Sequence, residues 1–354
     1  MRIRDLPTPA LIADRDAMEE NMARMNALLD GKRVRLRPHY KSNKCAAIAR
    51  RQMELGAVGI TCAKLSEAED LVRNGIPDVL IANQVVEACK IERLAALAGR
   101  CRLTVCVDDP DNAGDLSRAA AGAGTTIHCL AEYDIGMDRC GVTDPAAYLA
   151  LAREIAALPH LEYDGIQAYA GHVAHVISRE DRERMTAENA EKVRALVRLL
   201  EDSGSPVRTI SGGSTGTADI RAGQDLYTEL QAGSYLFLDA TYGKLDLPFR
   251  NSLYVLAAVV SRRAGLTILN AGVKSQGTDQ DEPRVFKPDG TEIRGRFEFN
   301  EEHMKIFDPS EELKIGDKVM IMPGHCCTTV NLYDRMELVS GDTVTGRLRI
   351  TARG

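Results

Sequence analysis

Short apolar, β-branched runs alternate with stretches of helical periodicity from about Thr8 to about Tyr242, and after Tyr242 the helical periodicity nearly vanishes. Such alternation permits few architectures, because each strand must pass to a helix that covers the sheet and returns the chain to a parallel neighbour. Residues 8–14 read as a strand, and Arg15–Leu29, with Met18, Met22, Met25 and Leu28 at helical spacing, as an amphipathic helix. Further strand-like runs centre on residues 34–37, 57–62, 78–83, 102–107, 126–132, 161–169, 207–210 and 235–238. Eight strands with short connections predict an α/β fold of the (β/α)8 barrel type, since an open doubly wound sheet normally has fewer. Ser66-Glu67-Ala68-Glu69 has the spacing of a capping box, and Asn74-Gly75 reads as a helix stop. Beyond Tyr242, residues 255–260, 266–269, 319–321, 328–332 and 345–350 are strand-like and are separated by turn-rich segments such as Lys287-Pro288-Asp289-Gly290. They predict a second, mainly β domain of roughly one hundred residues.

Composition excludes several classes of partner. The 45 basic and 51 acidic side chains leave the chain mildly acidic, with no basic arm, so no nucleic acid is expected. Tryptophan is absent and aromatic residues are 5 %, which argues against a carbohydrate- or base-stacking surface. No run approaches the roughly 18 apolar residues of a membrane span, and the first residues hold no apolar signal core. A soluble, cytoplasmic protein without a membrane partner is therefore expected. Nine cysteines, an odd number scattered through apolar runs, look like reduced core thiols rather than a disulfide framework. The adjacent pair Cys326 and Cys327 is the exception.

Five stretches could carry chemistry. In Arg37-Pro38-His39-Tyr40-Lys41-Ser42-Asn43-Lys44 a lysine follows a strand and precedes a helix, on the face where barrel enzymes keep their active groups. Pro38 stiffens the turn, and the charge of His39 and Lys44 nearby eases deprotonation of an amine; a neutral Lys41 can form a Schiff base with a substrate carbonyl or with pyridoxal phosphate. The plain alternative is a solvated surface amine. Ser211-Gly212-Gly213-Ser214-Thr215-Gly216-Thr217, directly after a strand, offers backbone amides and hydroxyls to a phosphate, or else is a flexible loop. At the ends of two other strands lie Arg139, which could hold a cofactor oxygen or a carboxylate, and Tyr169-Ala170-Gly171-His172-Val173-Ala174-His175, where either histidine could serve as acid or base or could simply be structural. Finally, if Pro323-Gly324-His325-Cys326-Cys327-Thr328-Thr329 is extended, side chains 325 and 327 share one side and Cys326 points away. Imidazole plus thiolate is half a set of zinc ligands; a chance His-x-Cys is the competing description.

Taken in order, Arg37-Pro38-His39-Tyr40-Lys41, Arg139-Cys140-Gly141-Val142, Ser211 to Thr217, Tyr227 to Tyr235 and Pro323 to Asp334 resemble the motifs of the D-threonine aldolase and D-serine dehydratase family. These are pyridoxal-phosphate enzymes with an alanine-racemase-like barrel of fold type III, and the resemblance spans nearly the whole chain. It implies that Lys41 carries the cofactor, that Gly213, Ser214 and Thr215 bind its phosphate with Tyr235 nearby, and that His39, Arg139 and Tyr169 are further cofactor contacts. His325 and Cys327 match the two ligands of a divalent metal (zinc, manganese or magnesium). The family architecture joins the first strand, near Ala10, to the second domain, giving a barrel over 12–245 and a mainly β domain of 1–11 plus 246–354 that carries the metal ligands. It also implies a homodimer that shares its active site.

The activity implied is a lyase acting on β-hydroxy-D-amino acids, with retro-aldol cleavage to glycine and an aldehyde as the leading expectation. His175 or His172 is the expected base, and Ala170 stands where some aldolases have a histidine. Thr329 to Asp334 and Thr228 to Gln231 look like the aldolase branch, whereas Cys327 resembles the dehydratase branch, whose aldolase counterparts usually have aspartate there. The alternative is therefore elimination of the D-serine or 3-hydroxyaspartate dehydratase type, giving a keto acid and ammonia. An amino-acid racemase and a non-catalytic pyridoxal-phosphate carrier are further readings.

Overall fold

The computed structural model describes residues 1–353 and resolves into two compact units. One comprises Asn26–Lys41 and Ile48–Gly233; the other comprises Met1–Met25, Ser42–Ala47 and the chain from Ser234 onward. In chain order the elements begin with β1 (Ala10–Asp14), α1 (Arg15–Leu29), β2 (Arg35–Leu36), α2 (Ala46–Glu54), β3 (Ile60–Cys62), α3 (Leu65–Arg73), β4 (Asp78–Ile81) and α4 (Ala88–Ala98). They continue with β5 (Arg102–Val107), α5 (Pro110–Ala123), β6 (Ile127–Glu132), α6 (Pro145–Ala157), β7 (Leu161–Ala168), α7 (Arg179–Asp202), β8 (Thr209–Gly212), α8 (Ala218–Ala222) and β9 (Glu229–Leu230).

Strands β2 to β9 form one parallel sheet in the order β2-β9-β8-β7-β6-β5-β4-β3. The bridge from His39 to Thr61 brings its two ends together, reinforced by Val58 N–H donating to the Leu36 carbonyl at 2.9 Å and Thr61 N–H to that of Pro38 at 2.9 Å. The expected (β/α)8 barrel is thus closed. Its strands are covered on both faces, which is why β5 reads as a nearly continuous apolar run, with Leu103, Val105, Cys106 and Val107 all fully buried. Helix starts follow local chemistry: Asp109 and Asp144 each precede a proline at the first helical turn and accept a backbone N–H, from Asn112 at 3.0 Å and from Ala147 at 2.8 Å.

At the amino-terminal side of the strands, Arg37 bridges two elements. Its guanidinium donates to Asp78 on β4 at 2.6 Å and to Glu229 on β9 at 2.6 Å, with a side-chain exposure of only 7 %. Gly59 makes the room, since a Cβ there would lie 2.0 Å from Arg37 Nη1.

The second unit continues with β10 (Leu253–Arg263), β11 (Leu266–Leu269), β12 (Arg284–Phe286), β13 (Glu292–Ile293), β14 (Arg296–Phe299), β15 (Met304–Phe307), β16 (Lys318–Met322), α9 (Cys326–Val330), β17 (Arg335–Ser340) and β18 (Thr343–Arg349). Its main sheet has the order β13-β12-β16-β10-β1-β17-β18, and β11, β15 and β14 extend from β10. As the family architecture implies, β1 joins this sheet, antiparallel to β10 and parallel to β17. Ile12 accordingly packs with Ile3, Leu6, Leu256 and Val339.

Three local expectations fail for physical reasons. The eighth barrel strand is β9, not residues 235–238: Ser234–Leu236 is a 3-10 turn, tied by Phe237 and Leu238 N–H groups donating to the Ser234 carbonyl, and Leu238 has φ 48°. A short apolar run has the same pattern in a buried turn as in a buried strand. Residues 328–332 do not form a strand either. Asp239 accepts the Cys326 N–H at 2.9 Å and Thr329 Oγ1 donates to the His325 carbonyl at 2.7 Å, so local bonds turn this β-branched stretch into α9. Alternation along a strand is therefore not what relates His325 to Cys327. The capping box is absent too: α3 begins at Leu65, before Ser66, and Glu67 accepts the N–H of Ala63 at 2.8 Å. Its end is as expected, at Asn74, with Gly75 at φ 84°.

Candidate functional site

Lys41 lies past the carboxyl end of β2, in the 3-10 turn Tyr40–Ser42. The turn is pinned from below, where the buried Tyr40 donates its hydroxyl to Asp70 at 2.7 Å. His39 sits beside it and accepts the Lys41 backbone N–H on Nδ1 at 3.4 Å. Lys41 Nζ is 5.8 Å from the centroid of the Tyr169 ring, and Arg139 Cζ is 5.6 Å from the same centroid, so one ring faces both cations. These four residues, named from the sequence, line one cleft of ≈ 170 Å³ together with Ala63, Ala82, Asn83, Cys140, Gln167 and Gln231.

Gln167 and Gln231 are functional candidates that the sequence did not single out by chemistry. They are buried and exchange amide hydrogen bonds at 2.7 and 3.3 Å, while Gln231 also donates to Ser211 at 2.9 Å. A glutamine within β7 and another just past β9, on either side of β8 in the sheet order, was the available signal. Glu132, at the end of β6, is buried and accepts from Gln84 at 2.6 Å. Burial raises its carboxyl above the usual range, against the pull of Gln84 and Arg139. Arg139 itself rides on a loop closed by Asp134, which accepts the N–H groups of Gly136 at 2.8 Å and Met137 at 2.7 Å.

The glycine loop begins beside Tyr169, because Ala168 on β7 pairs with Gly212 on β8. Gly213 has φ 75°, and Ser214, Thr215 and Thr217 are buried, with Ser214 Oγ 3.1 Å from Thr217 Oγ1. A Cβ at Gly216 would lie 1.9 Å from the Ala174 carbonyl oxygen, so the loop packs as closely as glycine allows. Beneath it lies Arg221, 2 % exposed, stacked 4.3 Å from the centroid of Tyr227. Its Nη1 donates to an amide and a carbonyl oxygen, Gln224 Oε1 at 3.0 Å and Thr186 O at 3.4 Å, and among the described residues its buried Nε has no hydrogen-bond partner. Burial lowers its pKa. Among the described residues no carboxylate pairs with this buried cation, which suits a dianion above it, so hydroxyls, close-packed backbone and Arg221 together fit a phosphate.

The two candidate histidines are not among the residues lining the cleft. His172 is exposed in the 3-10 turn Gly171–Val173, 3.6 Å from where Gly136 would carry a Cβ, and His175 is half-buried just beyond that turn. Tyr235 belongs to the second unit, fully buried, its ring centroid 5.7 Å from that of Phe249.

Also in the second unit, His325 stands at the start of α9 and Cys327 in its first turn. His325 Nδ1–H donates to Asp279 at 2.6 Å, and the imidazole also hydrogen-bonds with Cys327. Burial lowers the His325 pKa, but the hydrogen bonds and charges of Cys327 and Asp279 outweigh it and raise it to about 9. Cys326 is buried in the core; its hydrogen bond with Cys327 and its burial push its thiol well up. Of the two adjacent cysteines, only Cys327 is partly exposed. Imidazole nitrogen and thiolate on one helical turn are donors that zinc favours, so the residues present fit a divalent metal.

A second cluster, His128, Glu162 and Asp164, also has ligand atoms within reach of one another. It lies at the amino-terminal ends of β6 and β7. Arg102 donates to Asp164, and Arg208 to Glu162 at 2.5 Å, so arginines already take the place of a cation there.

Two family models match: "Alanine racemase, N-terminal domain" over residues 13–241 and "Putative serine dehydratase domain" over 252–339. A D-threonine aldolase of Arthrobacter sp is 40% identical over 98% of this chain and 93% of the relative. A 3-hydroxy-D-aspartate aldolase of Paracoccus denitrificans is 37% identical over 99% of this chain and 93% of the relative. The solved structure of D-threonine aldolase from Filomicrobium marinum superposes with a TM-score of 0.96 at 39% identity, covering 100% of this chain and 98% of the other. Relatives named as dehydratases are more distant, at 28% identity for D-threo-3-hydroxyaspartate dehydratase of Delftia sp..

Proposed function

The chain belongs to the D-threonine aldolase and D-serine dehydratase family, and from that premise we propose that it is a lyase cleaving β-hydroxy-D-amino acids to glycine and an aldehyde. The observation that carries the reading is the full-length likeness to proteins named as aldolases, joined to a lysine set in a cleft with Arg139 and Tyr169. Held at Lys41, pyridoxal phosphate supplies an electron sink for the substrate's α-carbon, and a divalent metal at His325 and Cys327 supplies a Lewis acid for its β-hydroxyl.

The chain's own residues do the rest. Lys41 presents the amine, and His39 steadies its backbone. Arg139 and Tyr169 orient the cofactor ring from one wall of the cleft. Gly213, Ser214 and Thr215 bind phosphate above the buried charge of Arg221, with Tyr235 as a further cofactor contact. His175, or failing it His172, accepts the proton of the β-hydroxyl. Because thiolate is a soft donor, zinc is preferred to manganese or magnesium. The working assembly is a homodimer in the cytoplasm, acting on a small amino acid. Among the described residues no helix is long and apolar enough to cross a membrane.

Incubation with D-threonine should yield acetaldehyde and glycine without keto acid, and exhaustive chelation should abolish the reaction. Cys327 favours a second reading, elimination of the dehydratase type. Pyruvate formed from D-serine, with no aldehyde from D-threonine, would replace the first reading by the second. Activity untouched by chelation would remove both.

A further inference from the structure

The loop before β12 is locked onto the first turn of α9 by hydrogen bonds to its side chains. Gly277 N–H donates to Thr329 Oγ1 at 3.0 Å, and Thr329 Oγ1 in turn donates to the His325 carbonyl at 2.7 Å. Gly277 is needed for this closeness, since a Cβ there would lie 2.0 Å from Thr328 Oγ1. Two residues on, Asp279 uses both oxygens: Oδ1 accepts from Thr328 Oγ1 at 2.6 Å and Oδ2 from His325 Nδ1 at 2.6 Å. The carboxylate is 44% exposed, yet it is fixed at two points while water competes for it. An imidazole whose Nδ1 carries a proton toward a carboxylate has its Nε2 lone pair left for a metal, and its ring plane is set by that bond.

We infer that Asp279 is a positioning residue for the metal centre: held by Thr328, it fixes the tautomer and ring orientation of His325 so that Nε2 meets the ion that Cys327 also holds. This rests on the reading that His325 and Cys327 bind the metal. Loss of such a carboxylate partner typically weakens metal affinity about 10- to 100-fold without removing a ligand.

The test titrates zinc into the cofactor-loaded enzyme against a chromophoric chelator, for wild type, Asp279→Ala, Asp279→Asn, Thr328→Val and His325→Ala. Asp279→Ala should raise the zinc dissociation constant about 10- to 100-fold. Asp279→Asn keeps an acceptor for Nδ1–H and should recover part of that loss, and Thr328→Val, which only loosens the carboxylate, should lose less than Asp279→Ala. With cobalt at saturation, the thiolate-to-metal absorption band of Asp279→Ala should match wild type, a signature that general disruption of the loop would not preserve. Zinc affinity of Asp279→Ala within threefold of wild type, while His325→Ala binds none, would overturn the inference and leave the metal reading standing. A loss as complete as that of His325→Ala would also overturn it, by making Asp279 a ligand. Wild-type affinity in His325→Ala would remove the metal reading itself.

Discussion

Replacing Arg37 by alanine removes the one cation that Asp78 and Glu229 share at 2.6 Å each. Their side chains are 21% and 12% exposed, so water solvates the stranded carboxylates poorly. Removing one partner of a buried pair costs about 3–5 kcal/mol, and here the lower end applies, because Arg102 Nε lies 3.6 Å from Asp78 and offsets part of the loss. For 354 residues the unfolding entropy near the midpoint is roughly 0.7 kcal/mol/K, so a loss of about 3 kcal/mol should lower Tm by about 4 °C. Differential scanning calorimetry of wild type, Arg37→Ala and Arg37→Ala/Glu229→Gln would measure it. If stranded charge is the cause, neutralising Glu229 in the alanine background should recover part of the shift; an empty space alone would give no recovery. A Tm within 1 °C of wild type, or a double variant no better than the single one, would refute the reasoning.

Lys41→Ala should abolish the yellow absorbance of the lysine-bound cofactor and the cleavage of D-threonine, with the protein still folded by circular dichroism. Gly216→Ala drives a methyl into the Ala174 carbonyl at 1.9 Å; it should cost about 1–3 kcal/mol in urea unfolding and weaken pyridoxal phosphate more than pyridoxal, which lacks the phosphate. Burial raises the Glu132 pKa in the folded protein, so the folded state holds that proton more tightly than the unfolded chain. Stability from this group is present below the unfolded value of 4.5 and is lost as pH rises through the folded one. Glu132→Gln should therefore gain on wild type between pH 4 and pH 7 in urea midpoints, and a constant difference across that range would contradict the sign.

The sequence by itself determined the strand-helix repeat and named four of the residues that line the cleft. Parallel strands buried on both faces must be continuous apolar runs, so β4, β5, β6 and β7 could be read in place, as could the stop at Asn74-Gly75. Lys41 after β2 and the glycine loop after β8 stood out because strand ends and glycines are local signals. What only the tertiary structure decided involves partners distant in sequence. A two-residue strand such as β9 exists only because Leu36 and Gly212 flank it, and residues 326–330 are helical because Asp239, about ninety residues earlier, caps them. For the same reason the sequence showed neither the buried Arg221 beneath the glycine loop nor Asp279 on His325: a lone charged residue carries no mark in the chain of what it will face, since burial and pairing are properties of the folded neighbourhood.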